Sequence, residues 1–430
     1  MLSREENERL TRVGPGTPMG EMFRRYWLPA LLSQEIAEPE CAPVRVELLG
    51  ESFVAFRDSN AQVGLLDESC PHRGASLVLA RNEDASLRCI YHGWQFDVEG
   101  KCLDMPSEPA DSRFAEKVRQ RSFPVRETHG VIWAYLGPRD RVPPFREFAF
   151  MKVPESHGFA MKVYQACNYL QAVEGGIDSS HIDFLHRDTR FWIKKDVPST
   201  GNVREMAGQR VGGILFKDTA PGLEVETTRY GFRYAGLRRS QGHEYVRITP
   251  FIMPWHTYVP GNNNKAFFHA WVPRDDYSCW TWDFHYKLDG PMSPEEQQVD
   301  VNNRGLWLDE RFRSKRSREN NWLQERSVMK TESFTGIAGI ANQDQGVQES
   351  MGAIFDRTKE HLGTSDRAVI AMRRMLLDAV NAFQHDRQDP PGLEDLPYHQ
   401  IMSESFVLSD GTPWGKHSVL DDRLVSTHRG

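Results

Sequence analysis

The sequence predicts an α+β protein in two parts, a small all-β domain followed by a larger domain in which helices cover one face of an antiparallel sheet. Three observations predict it. Between residues 40 and 135, short segments rich in β-branched and aromatic residues alternate with Gly, Asn and Asp turns. A Pro-rich, charged stretch from Pro138 to Pro144 then suits a domain boundary. Beyond it, strand-like runs give way to Arg, Glu and Leu patterns of helical period.

In order along the chain, short helices are expected at Glu5 to Val13 and at Met19 to Trp27, forming an N-terminal helical segment over 1–39. Strands follow at Val44 to Leu49, Ser52 to Phe56, Val63 to Leu66, Leu87 to Ile90, Gly93 to Phe96 and Val131 to Tyr135, which sets the all-β domain at 40–145. The second domain, 146–430, opens with a strand at Phe159 to Gln165. It continues with strands at Arg210 to Asp218, Leu223 to Tyr234, Tyr245 to Met253 and Lys265 to Pro273. Helical patterns occupy Pro294 to Arg326 and Ser365 to Gln384.

Composition narrows the function. With 39% hydrophobic and 26% charged residues the chain reads as ordinary compact domains. A net charge of -7 argues against a broad nucleic-acid contact, which needs a concentrated basic surface. The start, MLSREENERL, carries charges where a signal peptide needs an apolar core, and no apolar run approaches the roughly 18 to 20 residues of a membrane span. A cytoplasmic protein with no membrane partner is expected. Six scattered cysteines make no disulfide framework, but two of them stand beside histidines.

Those two define the first motif. Residues 70 to 74 read Cys-Pro-His-Arg-Gly and residues 89 to 94 read Cys-Ile-Tyr-His-Gly-Trp. Two loops that each present one thiolate and one imidazole can ligate a [2Fe-2S] cluster, Cys70 and Cys89 on one iron and His72 and His92 on the other. A Cys₂His₂ zinc site uses the same ligand types. Zinc sites favour two cysteines in one knuckle, however, whereas here each Cys shares its loop with a His.

The second motif is Glu174-x₃-Asp178-x₂-His181-x₄-His186. A straight helix would turn His181 and His186 about 140° apart, so the helix should break or tighten between them and let both rings meet one ion. Two His and one carboxylate on a single face make the facial triad of non-haem Fe(II) oxygenases, with positions left open for O₂.

With these motifs the sequence resembles, over nearly its whole length, the α subunits of Rieske ring-hydroxylating oxygenases, most closely the phthalate 4,5-dioxygenase and 3-chlorobenzoate 3,4-dioxygenase group. Respiratory Rieske proteins resemble it less, because they carry an extra cysteine in each loop where this chain has Ala75 and Ile90-Tyr91. The resemblance implies a Rieske domain followed by a helix-grip catalytic domain. It also supplies the third ligand: Asn342-Gln343-Asp344 followed by Gln348-Glu349-Ser350 matches the group's pattern, which makes Asp344 the carboxylate, with Glu349 a second carboxylate nearby. Asp178 is implied as the catalytic carboxylate between the two centres, bonded to His181 of its own subunit and to a cluster ligand of a neighbour. That arrangement implies a homo-oligomer, a trimer or a stacked-trimer hexamer. Glu174, Asn168 and Gln171 are either partners of the ligands or packing and capping residues.

The implied cofactors are the [2Fe-2S] cluster and a mononuclear Fe(II), with O₂ as co-substrate and NAD(P)H used through a separate flavin and iron-sulfur reductase. No plant-type ferredoxin run is present, and Gly14-Pro15-Gly16-Thr17-Pro18-Met19-Gly20 lacks the preceding strand of a nucleotide fingerprint. The implied reaction adds both atoms of O₂ to an aromatic carboxylate in aromatic hydrocarbon catabolism, giving a cis-dihydrodiol. A buried carboxylate needs a cationic partner, and Arg190, Arg229 and Arg247 lie in segments that could reach it, with a surface or structural ion pair as the alternative role of each. Monooxygenation, O-demethylation and pure electron carriage are the alternatives.

Overall fold

A computed structural model describes residues 1–109, 111–187, 218–240, 242–260, 265–304, 308–409, 411–419 and 424. The chain splits into two compact units, Val13–Phe145 with Pro273–Asp275, and Met1–Arg12 with Arg146–Val272 and Asp276–Gly430. The expected segment 1–39 is therefore divided. Its first helix, α1 (Arg4–Thr11), is capped by a reciprocal Ser3–Glu6 box. It belongs to the larger unit, where the Tyr169 hydroxyl and Asn168 Nδ2 donate to the carbonyls of Leu10 and Thr11.

The smaller unit opens with α2 (Pro18–Phe23), started by the Thr17 side chain and by Pro18 in the first turn. This helix stops short of the expected Trp27, which instead begins a strand. The strands are β1 (Trp27–Leu32), β2 (Val44–Leu48), β3 (Glu51–Arg57), β4 (Val63–Asp67), β5 (Arg81–Glu83), β6 (Ser86–Arg88), β7 (Gln95–Phe96), β8 (Cys102–Asp104), β9 (Val125–Thr128) and β10 (Val131–Tyr135). They form three antiparallel sheets, β1-β10-β9, β2-β3-β4 and β5-β6-β7-β8. Val54, Phe56, Leu66, Leu77, Leu87 and Phe96 are fully buried in one cluster beneath the two Cys-His loops. Each apolar side chain so buried contributes about 1.5–3 kcal/mol relative to exposure.

The larger unit is built on β11 (Gly158–Gln165), β12 (Gly222–Thr228), β13 (Gly231–Ser240), β14 (His243–Ile252), β15 (His256–Val259), β16 (Lys265–Pro273), β17 (Cys279–Lys287) and β18 (Glu404–Ser409). They make one eight-stranded sheet in the order β11-β17-β16-β15-β14-β13-β12, with β18 beside β14. Besides α1, its helices among the described residues are α3 (Tyr169–Gly176), α4 (Ile182–Leu185), α5 (Pro294–Arg304), α6 (Ile340–Ser350) and α7 (Arg367–His385). The expected run Leu223 to Tyr234 is two strands, because Arg229 and Tyr230 turn the chain and pair Thr228 with Gly231. The strand expected at Arg210 to Asp218 lies, but for its last residue, outside the described residues.

The helix expected over Pro294 to Arg326 ends at Arg304 on its described side. Asn320 binds the carbonyl of Lys315 and caps Ser317, and Asn321 and Trp322 adopt left-handed φ of 51°, so this region forms short turns. Among the described residues no helix is long and apolar enough to cross a membrane.

One face of the sheet departs from a packed core. Arg247 and Thr249 on β14, His269 on β16 and Asp283 and His285 on β17 line a cavity of about 190 Å³. A sheet face covered by helices ordinarily carries apolar side chains, so polar and charged groups at alternating positions mark a site.

Candidate metal centres

In the smaller unit the two motif loops have the same backbone. The N–H of Cys70 donates to the carbonyl of Ala75 and that of Cys89 to the carbonyl of Trp94, both at 2.8 Å. In return Gly74 and Gly93 donate to the Cys70 and Cys89 carbonyls, at 2.8 and 2.9 Å. Both glycines have left-handed φ, 74° and 75°, which explains their place four residues after each Cys. The Ser69–Ser76 bridge and the Arg88–Gln95 pair close the bases of the loops.

Their side chains converge. The His72 and His92 rings lie 4.3 Å apart, and Trp94 stacks on His72 at 4.4 Å with 10° between planes. Both thiols are buried, and burial, reinforced by the nearby Cys89, pushes the Cys70 thiol up to about 11. A buried thiol that resists ionising needs a cationic group to hold it as a thiolate. His72 Nδ1 is buried with no hydrogen-bond partner among the described residues, as a metal-ligating nitrogen would be. The residues therefore fit an iron-sulfur cluster.

In the larger unit α3 ends at Gly175 and Gly176. A Cβ at Gly176 would lie 2.0 Å from the ring of Trp271, and one at Gly175 would lie 2.2 Å from the amide of Gln348. Beside the indole only hydrogen fits, whereas a side chain at 175 would have to displace the Gln348 amide. The chain then turns through Asp178 into α4, which has four residues and is flanked by His181 and His186. The helix does not break between the two histidines but tightens there, with bonds from Phe184 to His181 and from Arg187 to Phe184, and the two rings come to 5.0 Å at 81°.

Asp344 projects from α6 into the same place. Its Oδ1 is 3.5 Å from His181 Nε2 and 3.3 Å from His186 Nε2. Among the described residues, His181, His186 and Asp344 form the one group of three whose candidate ligand atoms all lie within 4.8 Å of one another. All three line the cavity, and each far nitrogen faces a side chain behind its ring. His186 Nδ1 donates to Gln343 Oε1 at 2.7 Å, and Gln343 is itself fixed by its bond to the Ile337 carbonyl. His181 Nδ1 faces Asp178 Oδ2 at 3.5 Å. Partners on Nδ1 leave Nε2 to a metal.

The electrostatics agree. Burial opposes charge on His181, but Asp178 and Asp344 outweigh it and raise the imidazole pKa above its ordinary value. Burial works against the Asp178 carboxylate in the same way. His181 and the N–H groups of Ser180 and His181 outweigh it and hold Asp178 below the usual carboxylate range.

Other residues named from sequence have other duties. Glu349 accepts from Ala166 N, Gln345 Nε2 and Trp322 Nε1, so its oxygens hold the chain around α6. Glu174 pairs with Arg357 and Arg373, Asn168 caps α3, and Gln171 ties α3 to the carbonyls of Gln348 and Gly352. These three position the helix and do not touch the triad. Arg229 pairs with Glu394 at the surface, Arg190 lies outside the described residues, and Arg247 lines the cavity. Gln343 and the pair His269–Asp283, 2.6 Å apart, were not found from sequence. The signal for the pair was present in the strict alternation of Cys279 to Lys287, where Thr281, Asp283 and His285 share one face.

The chain matches the Rieske [2Fe-2S] domain family over residues 26–124 and the family described as LigXa C-terminal domain like over residues 134–427. It is 40% identical to the phthalate 4,5-dioxygenase oxygenase subunit of Pseudomonas putida, covering 99% of this chain and 98% of that one. It is 35% identical to the 3-chlorobenzoate-3,4-dioxygenase oxygenase subunit of Comamonas testosteroni, covering 95% and 96%. A third relative, the tert-butanol monooxygenase / tert-amyl alcohol desaturase oxygenase subunit of Aquincola tertiaricarbonis, is 43% identical over 87% of this chain and 76% of that one. Among solved structures, NdmA of Pseudomonas putida CBB5 with theobromine shares the fold, with a TM-score of 0.59 at 17% identity over 91% of this chain and 99% of the other.

Proposed function

The chain belongs to the Rieske non-haem iron oxygenases, and from that premise we propose that it is the oxygenase component of a dioxygenase acting on an aromatic carboxylate related to phthalate or 3-chlorobenzoate. Oxygenases of this family use a Rieske cluster, a mononuclear iron and O₂, with electrons from a separate reductase. In this reading Cys70, His72, Cys89 and His92 hold the cluster, and His181, His186 and Asp344 hold Fe(II). When bound, the cluster supplies electrons and the mononuclear iron supplies the oxygen chemistry.

The chain's own residues bind and orient. Gln343 and Asp178 hold the two imidazoles with Nε2 toward the cavity. The family resemblance gives Asp178 a second contact, with a cluster ligand of a neighbouring subunit, which asks for a trimer or a stacked-trimer hexamer. Arg247 is the single Arg or Lys among the described cavity-lining residues. Burial lowers its pKa, so an anion placed beside it regains what the guanidinium loses by leaving water. That cation, in one cavity with the triad, is the observation that carries the carboxylate assignment. A flavin and iron-sulfur reductase drawing on cytoplasmic NAD(P)H completes the system.

The test is turnover of substituted benzoates and phthalates by the iron-loaded protein with a partner reductase. A cis-dihydrodiol with both atoms from isotopically labelled O₂ is expected. One labelled atom, or loss of a methyl group, would favour the monooxygenase reading to which the 43% identical relative points. Failure with every aromatic acid would remove the substrate class. Arg247→Met should weaken binding of the acid at least about 30-fold while leaving the corresponding amide little changed.

A further inference from the structure

The segment that carries His181 and His186 cannot hold its own shape. A four-residue helix has too few internal bonds to offset its nucleation cost. Its backbone bonds are those from Phe184 and Leu185 to the His181 carbonyl and from His186 and Arg187 to the Phe184 carbonyl, with a longer one of 3.3 Å from Asp183 to Ser180. Something outside it must therefore fix the angle between the two rings.

We propose that Arg238 is the positioning residue for this segment, a buried clamp that sets the geometry of the two iron-ligating histidines through Asp183 and Ser179. Arg238 lies on β13 and is wholly buried. Its guanidinium donates to Asp183 Oδ2 at 2.8 Å, to the Ser179 carbonyl at 2.7 Å and to Ser179 Oγ at 3.3 Å. Asp183 is wholly buried too, and it sits between the two histidines on α4. One rigid, planar fork thus grips the chain on both sides of His181, at positions 179 and 183. Lys has no such fork.

The approach of β13 is built for this contact. Gly236, two residues before Arg238 on the same strand face, would meet Ser179 Oγ at 3.0 Å if it carried a Cβ. Tyr234, two residues further back, lines the cavity. The clamp needs the guanidinium in reach of both groups, and the missing side chain at 236 lets the strand come that close. A buried ion pair is weak evidence for stability as such, since an apolar pair of similar volume is often as stable. Its use here is specification: it selects one arrangement of a segment that has no preferred one.

The inference rests on the reading of His181, His186 and Asp344 as iron ligands, and the experiment separates the two. Full-length protein with its cluster would be made as wild type, Arg238→Met, Arg238→Lys, Asp183→Asn and the double variant Asp183→Asn/Arg238→Met. Three things would be measured: Fe(II) affinity by competition with a chelator, the EPR spectrum of the ferrous nitrosyl, and the visible spectrum of the cluster as a check on folding. The expected result is a 10- to 100-fold loss of Fe(II) affinity in Arg238→Met, the usual cost of removing an outer partner, with the cluster spectrum unchanged. Arg238→Lys should not restore it, and the nitrosyl spectrum should broaden as the ring angle loses definition. Should Arg238→Met fail to fold, Asp183→Asn decides, since it keeps volume and removes only charge. Variants that melt earlier yet bind Fe(II) as wild type does, with an unchanged nitrosyl signal, would show a merely structural pair and overturn the clamp. Wild type that binds no Fe(II) beyond its cluster would overturn the ligand reading instead.

Discussion

The cluster loops lie at residues 70–76 and 89–95, each closed by hydrogen bonds within itself and each turning on its own glycine. The triad draws His181 and His186 from one segment and Asp344 from a distant helix, and its supports come from Gln343, Asp178 and strand β13. The first centre is a local design used twice, and the second is an assembly. The difference teaches where each should fail. A local loop fails only through its own residues, whereas an assembled triad can be disturbed from any element that supports it.

The largest effect expected follows from removing ligands on one side at a time. His186→Ala or His181→Ala should lower turnover more than about 100-fold, beyond the usual loss for an outer partner, while cluster iron and acid-labile sulfide stay at wild-type levels. Cys70→Ser should abolish the cluster spectrum yet leave Fe(II) binding in the larger unit. Loss of both metals in either variant would mean that the two centres do not fold independently.

Next in size is the support of α3. Glu174→Ala leaves two buried guanidiniums, Arg357 and Arg373, without their shared carboxylate. A cost of about 3–5 kcal/mol is expected, read as earlier melting of the larger unit by calorimetry, with the cluster absorbance lost later in the scan. Simultaneous loss of both signals would erase the contrast.

Smaller again is Gly176→Ala, which drives a methyl into the Trp271 ring. Overpacking of this kind costs about 1–3 kcal/mol. The helix end should shift, so Fe(II) affinity should fall while denaturation of the smaller unit is unaffected.

The smallest effect is in pH. The His181 pKa is raised in the metal-free protein, so its contribution to stability is fully present below the ordinary histidine value of about 6.5 and is lost as pH rises through the folded value. Fe(II) must displace that proton, so apparent Fe(II) affinity should fall as pH drops through the same range. Asp178→Asn should flatten the dependence, and a titration that is unchanged in this variant would break the link between the two residues. The cluster's visible absorbance should not follow the same curve.

The same contrast decides what could be read in advance. Cys70, His72, Cys89 and His92 could be named as candidate ligands because the loops carry their whole geometry in consecutive residues. His181 and His186 were legible as a pair, since five-residue spacing on a helix demanded a break or a tightening, and α4 is a short, tightened turn. Asp344 came through resemblance alone, because nothing in a local pattern tells which distant helix will face a histidine. Gln343 and Arg238 were missed for the same reason: each acts across the fold on a residue remote in sequence. Strand β17 was overlooked although Trp280, Trp282, Phe284 and Tyr286 alternate without a fault. Its other face is polar because it lines a cavity, and a polar face reads as exposure. Trp27 shows the opposite error, an apolar residue that continues a helical pattern in sequence but pairs with Tyr135 in a sheet.

The contact of Gly176 with the Trp271 indole also constrains how this enzyme can diverge. A side chain gained at 176 while Trp271 keeps its bulk carries the cost of overpacking, so losing bulk at 271 first is the easier order. A lineage that narrows its pocket at 176 by that order passes through an ancestor in which the strand side had opened, with more room in the cavity than either of its neighbours in descent.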